Sequence, residues 1–132
     1  MAAPPPIPRQ NPFILVAEDD PDVLRMLEKM LSTLMEVQPV PDGLEAYKIL
    51  KSGTRLPDLI VTDVMMPNMD GFELVKHIKA DERMKRIPII MLTAKSGPRD
   101  VVTGINAGVR HYVTKPFKQD ELLEKVRKVL KK

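Results

Sequence analysis

The sequence predicts an α/β domain: a (βα)5 doubly wound parallel sheet, strand order 2-1-3-4-5, with helices on both faces. Three observations lead there. Residues 13–17, 59–61 and 89–92 run apolar without alternation, as strands buried on both faces do. Between such runs lie stretches whose apolar residues recur at helical spacing. The second run, 36–40, is only weakly apolar and contains Pro39, which cannot donate to a ladder and so belongs on an edge strand. Right-handed crossovers with that strand at an edge make 2-1-3-4-5 the economical order.

The elements follow in turn. β1 is Phe13 to Ala17, and Asp20-Pro21 then supplies an N-cap and a first-turn proline. Val23, Leu24, Leu27, Met30, Leu31 and Leu34 form the inner stripe of α1. After β2 at 36–40, Asp42 opens α2, which carries Leu44, Tyr47 and Leu50 and should stop at Gly53. Pro57 leads into β3 at 59–61, and α3 carries Phe72, Val75 and Ile78. Pro88 introduces β4 at 89–92. Pro98 marks the start of α4, with Val101, Val102 and Ile105 inward and Gly108 past its end. Tyr112 and Val113 belong to a short β5, and Leu122, Leu123, Val126, Val129 and Leu130 define α5. Residues 1–12 hold five prolines, favour extended geometry and read as a disordered head or linker; 13–132 read as one domain.

Composition narrows the function classes. A chain of 132 residues with 43% hydrophobic and 30% charged residues can bury a core without staples. It has no cysteine, which excludes disulfides, thiolate metal sites and cysteine nucleophiles. No apolar run approaches the roughly 20 residues of a membrane span and no signal-peptide core follows Met1, so a cytoplasmic protein without membrane association is expected. The net charge of +3 is a weak pointer to nucleic acid, because the basic residues collect at the C-terminal end. Lys125, Arg127, Lys128, Lys131 and Lys132 read as a solvated helix face, with Glu121 and Glu124 set to pair with Lys125 and Lys128. His77 and His111 both read as exposed. Met65, Met66 and Met69 read as packing.

In an open doubly wound sheet, ligands bind beyond the carboxyl ends of the strands at the switch point, here between β1 and β3. The residues at those ends are Glu18, Asp19 and Asp20 after β1, Asp63 after β3, Thr93 after β4 and Lys115 after β5. Carboxylates crowded this way repel, at about 4 kcal/mol per pair ~4 Å apart in an effective dielectric of ~20. Lys115 offsets part of that repulsion. A hard divalent cation such as Mg²⁺, which takes oxygen ligands and adds phosphate oxygens, would offset the rest. Neither glycine-rich phosphate motif, G-x-x-x-x-G-K-[ST] or G-x-G-x-x-G, occurs in the chain.

These residues resemble the receiver domains of two-component response regulators, the chemotaxis-regulator-like, flavodoxin-like fold. The resemblance covers about residues 13–131 and rests on four motifs in order. They are Val16-Ala-Glu-Asp-Asp20, the run Pro57-Asp-Leu-Ile-Val-Thr-Asp63-Val-Met-Met-Pro67-Asn-Met-Asp70-Gly71, Met91-Leu-Thr93-Ala94, and Tyr112-Val-Thr-Lys115-Pro116-Phe117. The resemblance implies that Asp63 is the phosphoacceptor, attacking a phosphohistidine on a histidine kinase or histidine phosphotransfer protein. It implies Mg²⁺ ligation by Asp19, by Glu18 mainly through water, by Asp63 and by the backbone carbonyl of Met65. Lys115 and Thr93 would meet the phosphoryl oxygens, and small Ala94 would leave room for the group. Thr93 and Tyr112 would form the switch that alters the α4-β5-α5 face, where a downstream protein target would bind.

Such a domain is a signalling module that assists its own phosphorylation and dephosphorylation, not an enzyme in its own right, and does not bind nucleic acid by itself. The resemblance also makes Lys115-Pro116 a candidate cis bond. Glu18 departs from the commoner aspartate. Met65 and Lys95 stand two residues after Asp63 and Thr93, where the family tunes hydrolysis; an apolar Met65 implies a long-lived aspartyl phosphate. An unphosphorylated interaction module would be expected to lack Asp63, Lys115 or the acidic doublet. A phosphate-ester hydrolase would want a second carboxylate where Met65 stands. A flavin module would want a serine- and threonine-rich loop after β1.

Overall fold

The computed structural model describes residues 12–52, 55–93 and 108–130. Its elements are β1 Phe13–Ala17, α1 Pro21–Leu31, β2 Glu36–Val40, α2 Gly43–Ser52, β3 Leu59–Asp63, α3 Gly71–Lys79, β4 Ile89–Thr93, β5 His111–Thr114 and a closing helix Gln119–Leu130. The expected α4, the α2 stop at Gly53, Ala94, Lys95 and the proline-rich head lie outside the described residues, so the closing helix keeps the label α5.

All strand pairings are parallel, in the order β2-β1-β3-β4-β5. Alternate residues of the central strands serve opposite faces, which is why those strands carry no polar alternation. Phe13, Leu15, Ala17, Ile60, Ile89 and Met91 pack with Ala46, Leu50, Leu74, Val75 and Ile78 of α2 and α3. Ile14, Val16, Leu59, Val61, Ile90, Leu92 and Val113 pack with residues of α1 and α5, among them Leu27, Leu31, Leu122 and Val126. β2, with Pro39, is an edge strand exposed at alternate positions.

Local chemistry sets the helix starts. Asp20 is the extended N-cap of α1, its carboxylate accepting from the N–H groups of Asp22 and Val23, and Pro21 occupies the first turn. Asp70 and Glu73 form a capping box at α3. The Lys115-Pro116 bond is cis. His77 is exposed, with its ring centroid 4.9 Å from that of Tyr47. His111 differs from expectation: it is half-buried at the start of β5. Burial, then the charges of Lys125, Arg110 and Lys128, pull its pKa below the ordinary 6.5. The Glu121–Lys125 and Glu124–Lys128 pairs expected on α5 are not among the ion pairs of the described residues. Exposed helix pairs contribute little, and Glu121, Glu124 and Lys128 stay exposed.

Candidate functional site

Register brings the predicted residues to one rim. Ala17 pairs with Thr62 and Thr62 with Met91, Asp63 with Leu92, and Thr93 with Thr114. One step further along each strand sets Glu18 level with Asp63 and puts Lys115 just past Thr114. A parallel sheet therefore places the first residues after β1 and β5 on the same edge as the last residues of β3 and β4.

Lys115 joins the carboxylates. Its Nζ donates to Glu18 Oε1 at 2.7 Å and to Asp63 Oδ2 at 2.9 Å. The other oxygens are also held: Glu18 Oε2 accepts from the Asp20 N–H at 3.0 Å, and Asp63 Oδ1 from the Val64 N–H at 2.7 Å. Glu18 is only 1% exposed and Asp63 6%, whereas Asp19 is exposed. Burial raises the Glu18 pKa from 4.5 to about 7; the Lys115 and Asp20 hydrogen bonds oppose this and the Asp63 charge adds to it. For Lys115, burial favours the neutral amine, but hydrogen bonds to Glu18 and Asp63, with their charges, outweigh it and leave the pKa raised. The ammonium is firmly charged.

One ligand oxygen from each of Glu18, Asp19 and Asp63 lies within 4.8 Å of the others. Three clustered hard oxygen donors, one on an open side chain, fit a hexacoordinate cation that keeps several waters. They do not fit a soft or nitrogen-seeking metal, and neither histidine takes part.

Glycines let the backbone close around this rim. A Cβ built on Gly71 would collide with the carbonyl oxygen of Asp63, and one built on Gly43 with that of Met69. The loop between β3 and α3 thus packs on the start of both α3 and α2. Met65 in that loop is 75% exposed. Thr93 is buried at the end of β4, and its carbonyl accepts from the Lys115 N–H at 2.6 Å. Tyr112 pairs with Met91 and is part-buried on the α2–α3 side. Val23, Met26, Lys115, Pro116 and Phe117 line an apolar cavity of about 460 Å³ beside the rim.

Sequence reasoning missed two residues. Asp42 is 7% exposed, and beyond opening α2 it accepts from Asn68 Nδ2 at 2.8 Å. Asn68 stands at φ +69°. The available signal was its place in a Pro-Asn-Met-Asp-Gly loop, since asparagine tolerates left-handed backbone better than most residues.

Residues 14–127 match the family described as the response regulator receiver domain. The chain belongs to that family. This receiver is 42% identical over 116 residues to the hybrid signal transduction histidine kinase D of Dictyostelium discoideum, covering 88% of this chain and 7% of that protein. It is 39% identical over 119 residues to chemotaxis protein CheY1 of Helicobacter pylori, covering 89% of this chain and 95% of CheY1. Among solved structures, the receiver domain of a signal transduction histidine kinase from Syntrophus aciditrophicus superposes with a TM-score of 0.82 at 38% identity, covering 90% of this receiver and 89% of that chain. The receiver domain of a sensor histidine kinase from Pseudomonas aeruginosa superposes with a TM-score of 0.81 at 33% identity, covering 92% of this receiver and 98% of that chain. That neighbour has a magnesium ion coordinated in its active site cleft. The receiver is thus a two-component signalling domain, and no helix among its described residues is long and apolar enough to cross a membrane.

Proposed function

We propose that Asp63 accepts a phosphoryl group from a phosphohistidine of a histidine kinase or histidine phosphotransfer protein. The observation that carries this is the Lys115 ammonium held between Glu18 and Asp63 on a rim where Asp19 stays open. An Asp63 carboxylate oxygen attacks phosphorus; the new P–O bond forms as the P–N bond breaks, and the imidazole nitrogen keeps the electron pair. The product is an acyl phosphate. Lys115 follows the charge onto the phosphoryl oxygens, because it already sits 2.9 Å from the acceptor carboxylate. Thr93, at the neighbouring strand end, offers its hydroxyl to the same oxygens, and a residue as small as alanine at 94 would leave them space.

Bound Mg²⁺, held by Asp19, Asp63, the Met65 carbonyl and, through water, Glu18, would supply the positive charge that lets an anionic donor approach three carboxylates. Esterification adds strong acceptor oxygens at Asp63. Thr93 shifts toward them, Tyr112 turns inward, and the α4-β5-α5 face changes the partner it fits. In this reading residues 13–132 are the receiver and 1–12 a head or linker. The protein works in the cytoplasm as a signalling domain that assists its own phosphorylation and dephosphorylation, and does not bind nucleic acid by itself.

Incubation with Mg²⁺ and acetyl phosphate followed by intact mass measurement tests the proposal. One added phosphoryl group, lost with EDTA and in Asp63→Asn, is expected. Unchanged labelling of Asp63→Asn would sink it.

A further inference from the structure

We propose that Asp42 and Asn68 are positioning residues for this site, clamping the β3–α3 loop so that the Met65 backbone stays aligned with Asp63 for the metal. The inference rests on the reading above that Met65 contributes its carbonyl.

The loop has residues 64–70 to cover the distance from the end of β3 to the start of α3. Its ends are tied: the Val64 N–H donates to the Leu92 carbonyl at 3.0 Å, and the Gly71 N–H to the Val64 carbonyl at 2.8 Å. Between them the chain turns back on itself, with the Met69 N–H on the Pro67 carbonyl at 2.7 Å. Such a turn fixes the loop's own shape without fixing where it lies relative to the sheet. Asn68 provides that second constraint. Its Nδ2 reaches out of the loop to Asp42 Oδ2 at 2.8 Å, across 26 residues of sequence.

Asp42 is a rigid anchor. It is 7% exposed, and its other oxygen accepts from the Glu45 N–H at 2.8 Å, so the carboxylate is fixed by the first turn of α2. The adjoining Gly43 removes the side chain that would otherwise push the Met69 carbonyl away. Asn68 holds φ +69°, a conformation most residues adopt only when the surroundings over-determine it. Here the surroundings are a buried carboxylate on one side and a bare backbone on the other. Both sit at the start of α2, an element that supplies no other residue to the site. A merely stabilising surface bond would not need a buried acceptor or a left-handed donor.

The test is magnesium affinity of the unphosphorylated protein, measured by titration calorimetry beside thermal unfolding of the metal-free form. Asn68→Gly keeps the left-handed backbone and removes the hydrogen bond. It should weaken Mg²⁺ binding roughly three- to ten-fold, the worth of one hydrogen bond. Asn68→Asp, which sets two carboxylates face to face, should bind no better than Asn68→Gly. The exchange Asp42→Asn with Asn68→Asp rebuilds the bond in reverse and keeps an oxygen for the Glu45 N–H. It should return affinity to within about two-fold of wild type, the coupling expected of a direct pair.

A lowered unfolding temperature with unchanged Mg²⁺ affinity in Asn68→Gly would overturn the inference and leave the pair a purely structural bond. So would an exchange variant that folds like wild type yet stays weak. Wild-type protein that binds no Mg²⁺ would instead defeat the functional reading on which the inference rests.

Discussion

Lys115 and Glu18, 97 residues apart in sequence, meet at 2.7 Å between Nζ and Oε1, and the same ammonium reaches Asp63. Removing that cation leaves two buried carboxylates facing each other. Lys115→Ala should therefore abolish phosphoryl acceptance and destabilise the metal-free protein by about 3 kcal/mol at pH 8. Part of the stability should return at pH 5, where one carboxylate takes a proton. Urea titrations at the two pH values check this; an equal loss at both would contradict it.

Glu18 sets a pH dependence of its own. Its folded pKa of about 7 lies above 4.5, so between those values the native state holds the proton more tightly than the unfolded chain. The associated stability is fully present below pH 4.5 and is lost as pH rises through about 7. Its size is at most about 3 kcal/mol. Glu18→Gln should flatten this part of the stability profile in metal-free buffer.

Asp19 is exposed but its carboxylate lies within 4.8 Å of those of Glu18 and Asp63, so Asp19→Asn should relieve repulsion and stabilise the metal-free protein by up to about 1 kcal/mol. Wild type at ten times the Mg²⁺ dissociation constant should gain about 1.4 kcal/mol. At the same concentration the variant should gain much less. Thermal scans with and without Mg²⁺ measure both.

Gly71 opens α3 against the Asp63 carbonyl, and a Cβ there would also lie 3.0 Å from the Val64 Cα. Alanine favours a helix by about 1 kcal/mol over glycine, so a neutral setting would stabilise. Gly71→Ala should instead cost about 2 kcal/mol, the usual price of overpacking against backbone. A stabilised variant would show that the rim has slack.

Met65 presents an exposed thioether where a carboxylate or amide would hold a water. The aspartyl phosphate should last minutes or longer at neutral pH, and Met65→Glu should shorten it. Loss of label from wild type within seconds would refute this.

Much of this was legible in the sequence, because parallel strands write their burial directly into unbroken apolar runs. Ile14 and Leu15 are both fully buried although they face opposite sides, and Pro39 marked an edge. The strand-end positions of Asp63 and Lys115 followed from topology alone. The surroundings of Glu18 were less legible: it is the most buried of the three carboxylates and accepts directly from Lys115. Burial of one particular side chain depends on packing that no periodicity encodes. The Asp42–Asn68 bond was hidden for the same reason: each residue has an ordinary local role, as cap or turn former, and only the fold brings them into contact.

Lys115 comes just after the last strand, on the far side of the sheet from β2. A nascent chain displays Asp63 on the ribosome long before its counter-charge has been synthesised. A fragment ending before β5 would carry the acidic groups without the ammonium that bonds Glu18 and Asp63. On the proposed chemistry, acceptance of a phosphoryl group would have to wait until β5 and Lys115 have been made, so fragments ending before β5 would stay silent.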